Sequence, residues 1–258
     1  LLKKGLSVEL YDHSSGVGKK FLVAGHGGLN LTHSEPLEEF SKRYGKDQAL
    51  FRDLLTAFSP NDLRDFCHSM EVETFIGTSG RVFPTTMKAG QILLRWTKKL
   101  KKQKSFSLKT KHKLIALTKD GEATFLSPDG EVKIKANKVI LALGGASWPN
   151  TGSDGRWTDI VRSLGCEVAP LEPMNCGFEI EWSPYFKNKV DRFPLKNIKL
   201  TCGDKVSRAE AMVTEYGIEG GGVYALSGAL RESIKKEKSA KLITLSAGEV
   251  SQNILQAR

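Results

Sequence analysis

The 258-residue sequence predicts an α/β fold, built on a parallel sheet and joined to a β-rich region. Three observations predict it. A helix end runs into a short strand that stops at Asp12, and an apolar run, Val139 to Leu143, leads into Gly144-Gly145. Amphipathic helices fill much of the stretch between them. Parallel strands need long crossover connections, usually helical, and strands buried on both faces read as unbroken apolar runs.

The elements follow in order. LLKKG is the last turn of a helix, with Lys3 and Lys4 at its end and Gly5 as its stop. A chain that opens inside a helix is expected to be a fragment. LSVELYD places Leu6, Val8 and Leu10 on one side of a strand. The next stretch, to His33, is broken by Gly16, Gly18, Gly25, Gly27 and Gly28 and is too polar for a core element. EPLEEFSKRYG, DQALFRDLLTAF and SPNDLRDFCHSM read as helices. In the second, Leu50, Phe51, Leu54, Leu55 and Phe58 share a face. In the third, Ser59 is the N-cap, Pro60 the first helical residue, and Leu63, Phe66 and Cys67 the apolar stripe.

TFIGTSGRVFP reads as two short strands around a turn at Ser79-Gly80. KAGQILLRWTKKLKK is an amphipathic helix with Ile92, Leu93, Trp96 and Leu100 facing in. Its lysines crowd the C-terminal end, where the helix dipole favours cations. From Lys113 the period changes to two. KLIALTK, EATFLS, EVKIKA and KVILALGG are four strands, with turns at Asp120-Gly121 and Pro128-Asp129-Gly130. SDGRWTDIVRSLG is a helix capped by Ser153 and stopped by Gly165, and KLITLSAGE is a late strand. Two domains are expected, 1–165 and 166–258, the second β-rich and incomplete.

Composition narrows the classes of function. No run of 18 apolar residues and no charged-then-apolar leader is present, which argues against a membrane span or secretory signal. Cys67, Cys166, Cys176 and Cys202 form no CxxC pair, so reduced, mostly packed thiols and a cytoplasmic location are expected. The net charge of +10 is local. Twelve of the 39 basic residues and none of the 29 acidic ones lie from Thr74 to Lys119. That stretch lacks interleaved aromatics or a nucleic-acid motif, so a solvated face is the expectation there and nucleic acid is not an expected partner. No GxSxG is present, since Ser147 lacks the final glycine, and the five histidines show no metal spacing. His26 and His33 stand out by location alone.

A strand ending in an acid, then a later apolar strand ending in two glycines, is the layout of a dinucleotide-binding half. There the acid accepts from a ribose hydroxyl. The stretch GVGKKFLVAGHGGLNLTH adds glycines whose backbone can approach a ligand, and Lys19, Lys20, Asn30 and Thr32 as donors. A mobile surface loop is the competing reading.

Five blocks carry a resemblance: GKKFLVAGHGGLNLTHSEP, TSGRVFPTTMKA, LALGGASWPNTGSDG, PMNCGFEIEW and VTEYGIEGGGVYALS. Together they resemble the HI0933-like (BaiN/YhiN-type) flavoprotein family, in a branch of NAD(P)/FAD-dependent oxidoreductases. The resemblance implies a partial FAD-binding, Rossmann-like domain of the glutathione-reductase kind with an inserted β-rich domain. It implies Asp12 on the adenosine ribose. Lys19, Lys20, Gly25, Gly27, Gly28, Asn30 and Thr32 would line the flavin and its phosphates. Gly80 and Arg81 would sit near the ring, and Gly144 and Gly145 against the cofactor, followed by Gly152, Ser153 and Asp154. The family's Arg-Cys pair is replaced here by Gly28-Leu29, and its His-x-Gly-x-Ser-Gly-Pro block by Glu215 to Gly222. The GxGxxG unit is expected before Leu1 and a closing segment after Arg258, so weak FAD binding is expected of the chain alone. The implied activity is an FAD-dependent oxidoreductase passing electrons from NAD(P)H to an unidentified organic small molecule, with catalytic residues unassigned. A non-catalytic remnant and a basic nucleic-acid-binding protein are the alternatives.

Overall fold

The computed structural model describes residues 1–24, 28–190, 192–246 and 249–257. The chain divides into two compact units, Leu1–Ala169 and Pro170–Arg258.

The first unit opens with a 3-10 turn, Leu2–Lys4, stopped by Gly5 at φ 74°. Strand β1 (Val8–Tyr11) follows. Helices α1 (Lys19–Ala24), α2 (Leu37–Lys42), α3 (Gln48–Ala57) and α4 (Pro60–His68) succeed one another, with β2 (Thr32–His33) after α1. The hairpin β3 (Thr74–Ile76) and β4 (Arg81–Pro84) leads to α5 (Ala89–Lys101) and β5 (Phe106–Lys109). Strands β1 and β5 pair in parallel, Val8 opposite Phe106 through Tyr11 opposite Lys109, so the helices form their crossover. Strand β4 lies between β2 and β3, antiparallel to both. A three-stranded antiparallel sheet, β6 (Lys113–Leu117), β7 (Glu122–Ser127) and β8 (Gly130–Lys135), precedes α6 (Trp157–Ser163). Tyr11 stacks on Phe125 with ring centroids 4.2 Å apart, which ties β1 to β7. Leu29, Cys67, Met70, Val72, Ala89 and Ile92 form the buried core, with Phe21, Leu31 and Phe66 against it.

The second unit contains β9 (Phe178–Glu179), α7 (Pro184–Lys187), β10 (Phe193–Cys202), β11 (Lys205–Thr214) and β12 (Gly217–Glu219). Helices α8 (Gly221–Tyr224) and α9 (Ser227–Glu237) and strands β13 (Ala240–Ser246) and β14 (Glu249–Ala257) complete it. The six strands form one antiparallel sheet in the order β14-β13-β10-β11-β12-β9. Asn197, at φ 52°, lies where the β10–β11 register shifts, between Leu195 and Ile198. A bulge often places one residue in a left-handed conformation, which asparagine tolerates. Leu200, Ile218, Val223, Leu230 and Leu242 are fully buried between this sheet and its helices.

The α/β class is as the sequence predicts, and four local readings are corrected. The run 139–143 forms no strand, and Ile140 is 69% exposed. Apolarity gives a run its tendency to be buried, but a strand also needs a ladder partner, and none of the described strands pairs with it. Leu50 and Leu54 of α3 and Phe58 at its C-cap are exposed, as is Trp96 of α5, so part of each apolar face is left uncovered. Ser153 does not cap α6, whose N-cap is Arg156. By contrast Ser59 and Asp62 form a reciprocal capping box on α4.

Candidate functional site

The carboxyl end of the β1–β5 pair is where open α/β sheets bind ligands. There the chain turns sharply. Asp12 donates its N–H to the Lys109 carbonyl (2.9 Å) and accepts from the His112 N–H (3.0 Å), while the Lys111 N–H reaches the Ser14 carbonyl (2.9 Å). The Ser14 N–H donates to Asp12 Oδ1 (2.8 Å), and Oδ2 takes no bond from the described residues. Asp12 is therefore fixed by its own loop with one oxygen left to accept.

The loop from Gly144 to Ser153 comes to the same place. Gly152, at φ 105°, lies so close to His13 that a Cβ there would stand 2.9 Å from the ring. Gly144 has φ 74°, and a Cβ on it would stand 3.0 Å from Ser153 Oγ. That hydroxyl donates to the carbonyls of Leu143 (2.9 Å) and Gly145, so it is the latch of the loop rather than a helix cap. Gly145 has nothing within 4 Å of where its Cβ would be. Its backbone is bare and open.

Helix α1 supplies the cations. Lys19 and Lys20 begin it, and Lys20 Nζ donates to Ser147 Oγ (2.8 Å), joining segments 127 residues apart in sequence. Gly18, at φ 73°, packs its backbone on Leu93 of α5, which seats the start of the helix. The loop 144–153 is thus tied at Gly152 to His13, the neighbour of Asp12, and at Ser147 to Lys20. Lys19 shares the helix start. Nothing in the sequence marks the contacts of Ser147 and His13: Ser147 lies in the LALGGASWPNTGSDG block but completes no nucleophile motif, and His13 lies outside the five blocks.

Gly28, Thr32, Gly80 and Arg81 form a second group around β2 and β4. Gly28, at φ 115°, lies against Met87, and Asn30 is exposed between it and β2. Thr32 pairs with Val82, and His33 with Arg81. Gly80, at φ 78°, forms the β3–β4 turn, where a Cβ would stand 2.6 Å from the His33 ring. The Glu35 N–H donates to His33 Nδ1 (3.1 Å) and His33 Nε2 donates to the Ser79 carbonyl (3.0 Å). Both ring nitrogens are engaged with backbone, so His33 braces this turn. Gly25, His26 and Gly27 lie outside the described residues.

Burial pushes the Cys67 and Cys202 thiols above their ordinary range, away from the reactive thiolate, and no three metal-ligating side chains cluster among the described residues. Asp154 has its carboxyl held below the usual range by the Arg156 N–H. No helix among the described residues is long and apolar enough to cross a membrane.

Comparison with known proteins agrees with the layout. Residues 1–257 match the HI0933-like protein Rossmann domain, and the chain belongs to that family. It is 26% identical over 238 residues to a 3-dehydro-bile acid delta(4,6)-reductase of Clostridium scindens, covering 91% of this chain. The chain spans 57% of the length of that relative.

Proposed function

We propose that this chain carries the cofactor-binding part of a flavin-dependent oxidoreductase, taking electrons from NAD(P)H and passing them to a small organic acceptor. What supports the reading is Asp12 at the carboxyl end of the parallel pair, with the loop 144–153 meeting its neighbour His13 at Gly152 and α1 through the Lys20–Ser147 bond. These residues fit FAD. Asp12 Oδ2, without a hydrogen-bond partner among the described residues, would accept from a ribose hydroxyl, and Lys19 and Lys20 would offer positive charge to phosphates. Gly144 and Gly145 leave a bare backbone for close approach. When bound, FAD supplies the redox chemistry, and the protein's part is to hold and orient it. The latch from Ser153 to Leu143 and Gly145 keeps that backbone in place, and the Lys20–Ser147 bond sets the distance between α1 and the loop.

The name of the bacterial relative suggests the class of acceptor: an apolar ketone with carbon–carbon double bonds to reduce. The test uses the complete gene product that contains this chain. Purified protein should be yellow, oxidise NADH or NADPH slowly in air, and do so faster with a conjugated cyclic enone. A colourless, folded protein that neither binds added FAD nor oxidises either nucleotide would refute the reading.

A further inference from the structure

A groove on the first unit is lined by none of the residues assigned above to the cofactor. Helix α5, with Lys102 at its C-terminus, lines this groove of about 680 Å³ against the turn that follows α4. The floor is built from backbone carbonyls already capped by cations. Arg95 Nη1 donates to the carbonyls of Met70 (2.9 Å) and Glu71 (3.0 Å) and to Glu71 Oε2 (2.9 Å). Lys99 Nζ donates to the carbonyl (3.1 Å) and hydroxyl (2.9 Å) of Ser69. Glu71, at φ 59°, holds the turn that presents those carbonyls.

The groove wall has a graded composition. Gln91, Leu94, Lys98 and Lys102 follow one another along one face of the helix, at helical spacing. Leu94 is 54% exposed beside the buried Met70, an apolar surface in the middle of a basic groove. Lys98 and Lys102 have no partner among the described residues, and Glu71 is the only acidic residue lining the groove, already bound to Arg95. From Gln91 to Lys102 the helix rises about 16 Å. An amide, an apolar shelf and two free ammonium groups one turn apart match the parts of one ligand class in order.

We infer that this groove binds a nucleoside di- or triphosphate, with the base edge on Gln91, the base face on Leu94 and the phosphates on Lys98 and Lys102. Phosphate supplies the countercharge the groove lacks, and the planar base covers the exposed Leu94. A bare phosphate would leave Leu94 uncovered and would use only the C-terminal half of the groove.

Calorimetric titration of the whole chain at low salt tests this, with ADP and adenosine as probes. ADP should bind, adenosine should not, and Lys98→Gln with Lys102→Gln should weaken ADP at least tenfold. The charge-matched pair Lys101→Gln with Lys104→Gln should change it less than twofold. These lysines are exposed, so both pairs should keep the wild-type melting temperature. Absence of ADP binding would overturn the inference, as would equal loss in both pairs. So would ADP binding that survives Lys98→Gln with Lys102→Gln but is lost in Asp12→Ala, which would place the nucleotide in the flavin site. A single-stranded oligonucleotide or phosphatidylserine vesicles that bind more tightly than ADP, weakened alike by both pairs, would identify a diffuse polyanion surface instead.

Discussion

Adding a side chain to Gly144 and to Gly145 in turn should separate fold stability from cofactor binding. Gly144 adopts φ 74°, and a Cβ there would press on Ser153 Oγ at 3.0 Å, the hydroxyl that latches the loop. A non-glycine residue in the left-handed region with a displaced latch costs about 1–3 kcal/mol. For a chain of this size that lowers the melting temperature by about 2–12 °C. Gly145 has no positive φ and open space around it, so Gly145→Val should leave the apo melting temperature within about 2 °C. If the cofactor approaches that backbone, the same valine fills the space it needs, and FAD affinity should fall at least tenfold, about 1.4 kcal/mol. Scanning calorimetry of the apo proteins and flavin fluorescence titration read the two effects separately. A Gly145→Val protein that binds FAD like the wild type refutes the cofactor reading of this loop. One that unfolds early refutes the open space instead.

Asp12→Ala should weaken FAD binding by about 1–3 kcal/mol, the cost of removing one partner of a buried polar contact, and an unchanged fluorescence titration would exclude Asp12 from the site. Gly217→Ala should destabilise the second unit by about 1–3 kcal/mol, because its Cβ would lie 2.0 Å from the Phe178 carbonyl across the β9–β12 pairing; an unshifted urea midpoint would contradict this. Tyr11 has its hydroxyl pushed up to about 12 by burial and by its hydrogen bond to Glu9. The folded state thus holds this proton more tightly than the unfolded one. The resulting stability is complete below pH 10 and lost as pH rises from 10 to about 12. Tyr11→Phe should flatten the melting-temperature profile across that window, and an unaltered profile would count against it.

The elements that a local signal specifies are the ones the sequence predicts correctly. Ser59 followed by Pro60 and Asp62 carries its own helix start, because the capping groups are neighbours. Gly5, Gly121 and Gly130 sit at positive φ at the breaks the sequence marks. The strands from Lys113 to Lys135 form where the sequence predicts them because adjacent hairpins supply each other's partners, with one register shift between Leu114 and Ala116. Where burial depends on a distant neighbour, composition alone misleads. Val139 to Leu143 and the outer face of α3 are as apolar as true core elements, yet hydrophobicity states only what a surface would gain if something covered it.

The same limit governs the site. Asp12, Gly144 and Gly145 stand out in the sequence because each follows a strand-like run, although only the run before Asp12 forms a strand. Lys20 is legible as a cation, but its partner is not. Ser147 stands in a sequence whose nearest motif, a nucleophile turn, it fails to complete, and its contact with Lys20 spans most of the first unit's sequence. No periodicity encodes such a bond, since it exists only once α1 and the loop after Gly145 have each been placed by their own packing. His33 shows the converse. Its position in a glycine-rich block suggests chemistry, yet its two nitrogens are both spent on backbone at the Ser79-Gly80 turn. With both nitrogens engaged by backbone, its work here is to hold β2 against the Ser79-Gly80 hairpin.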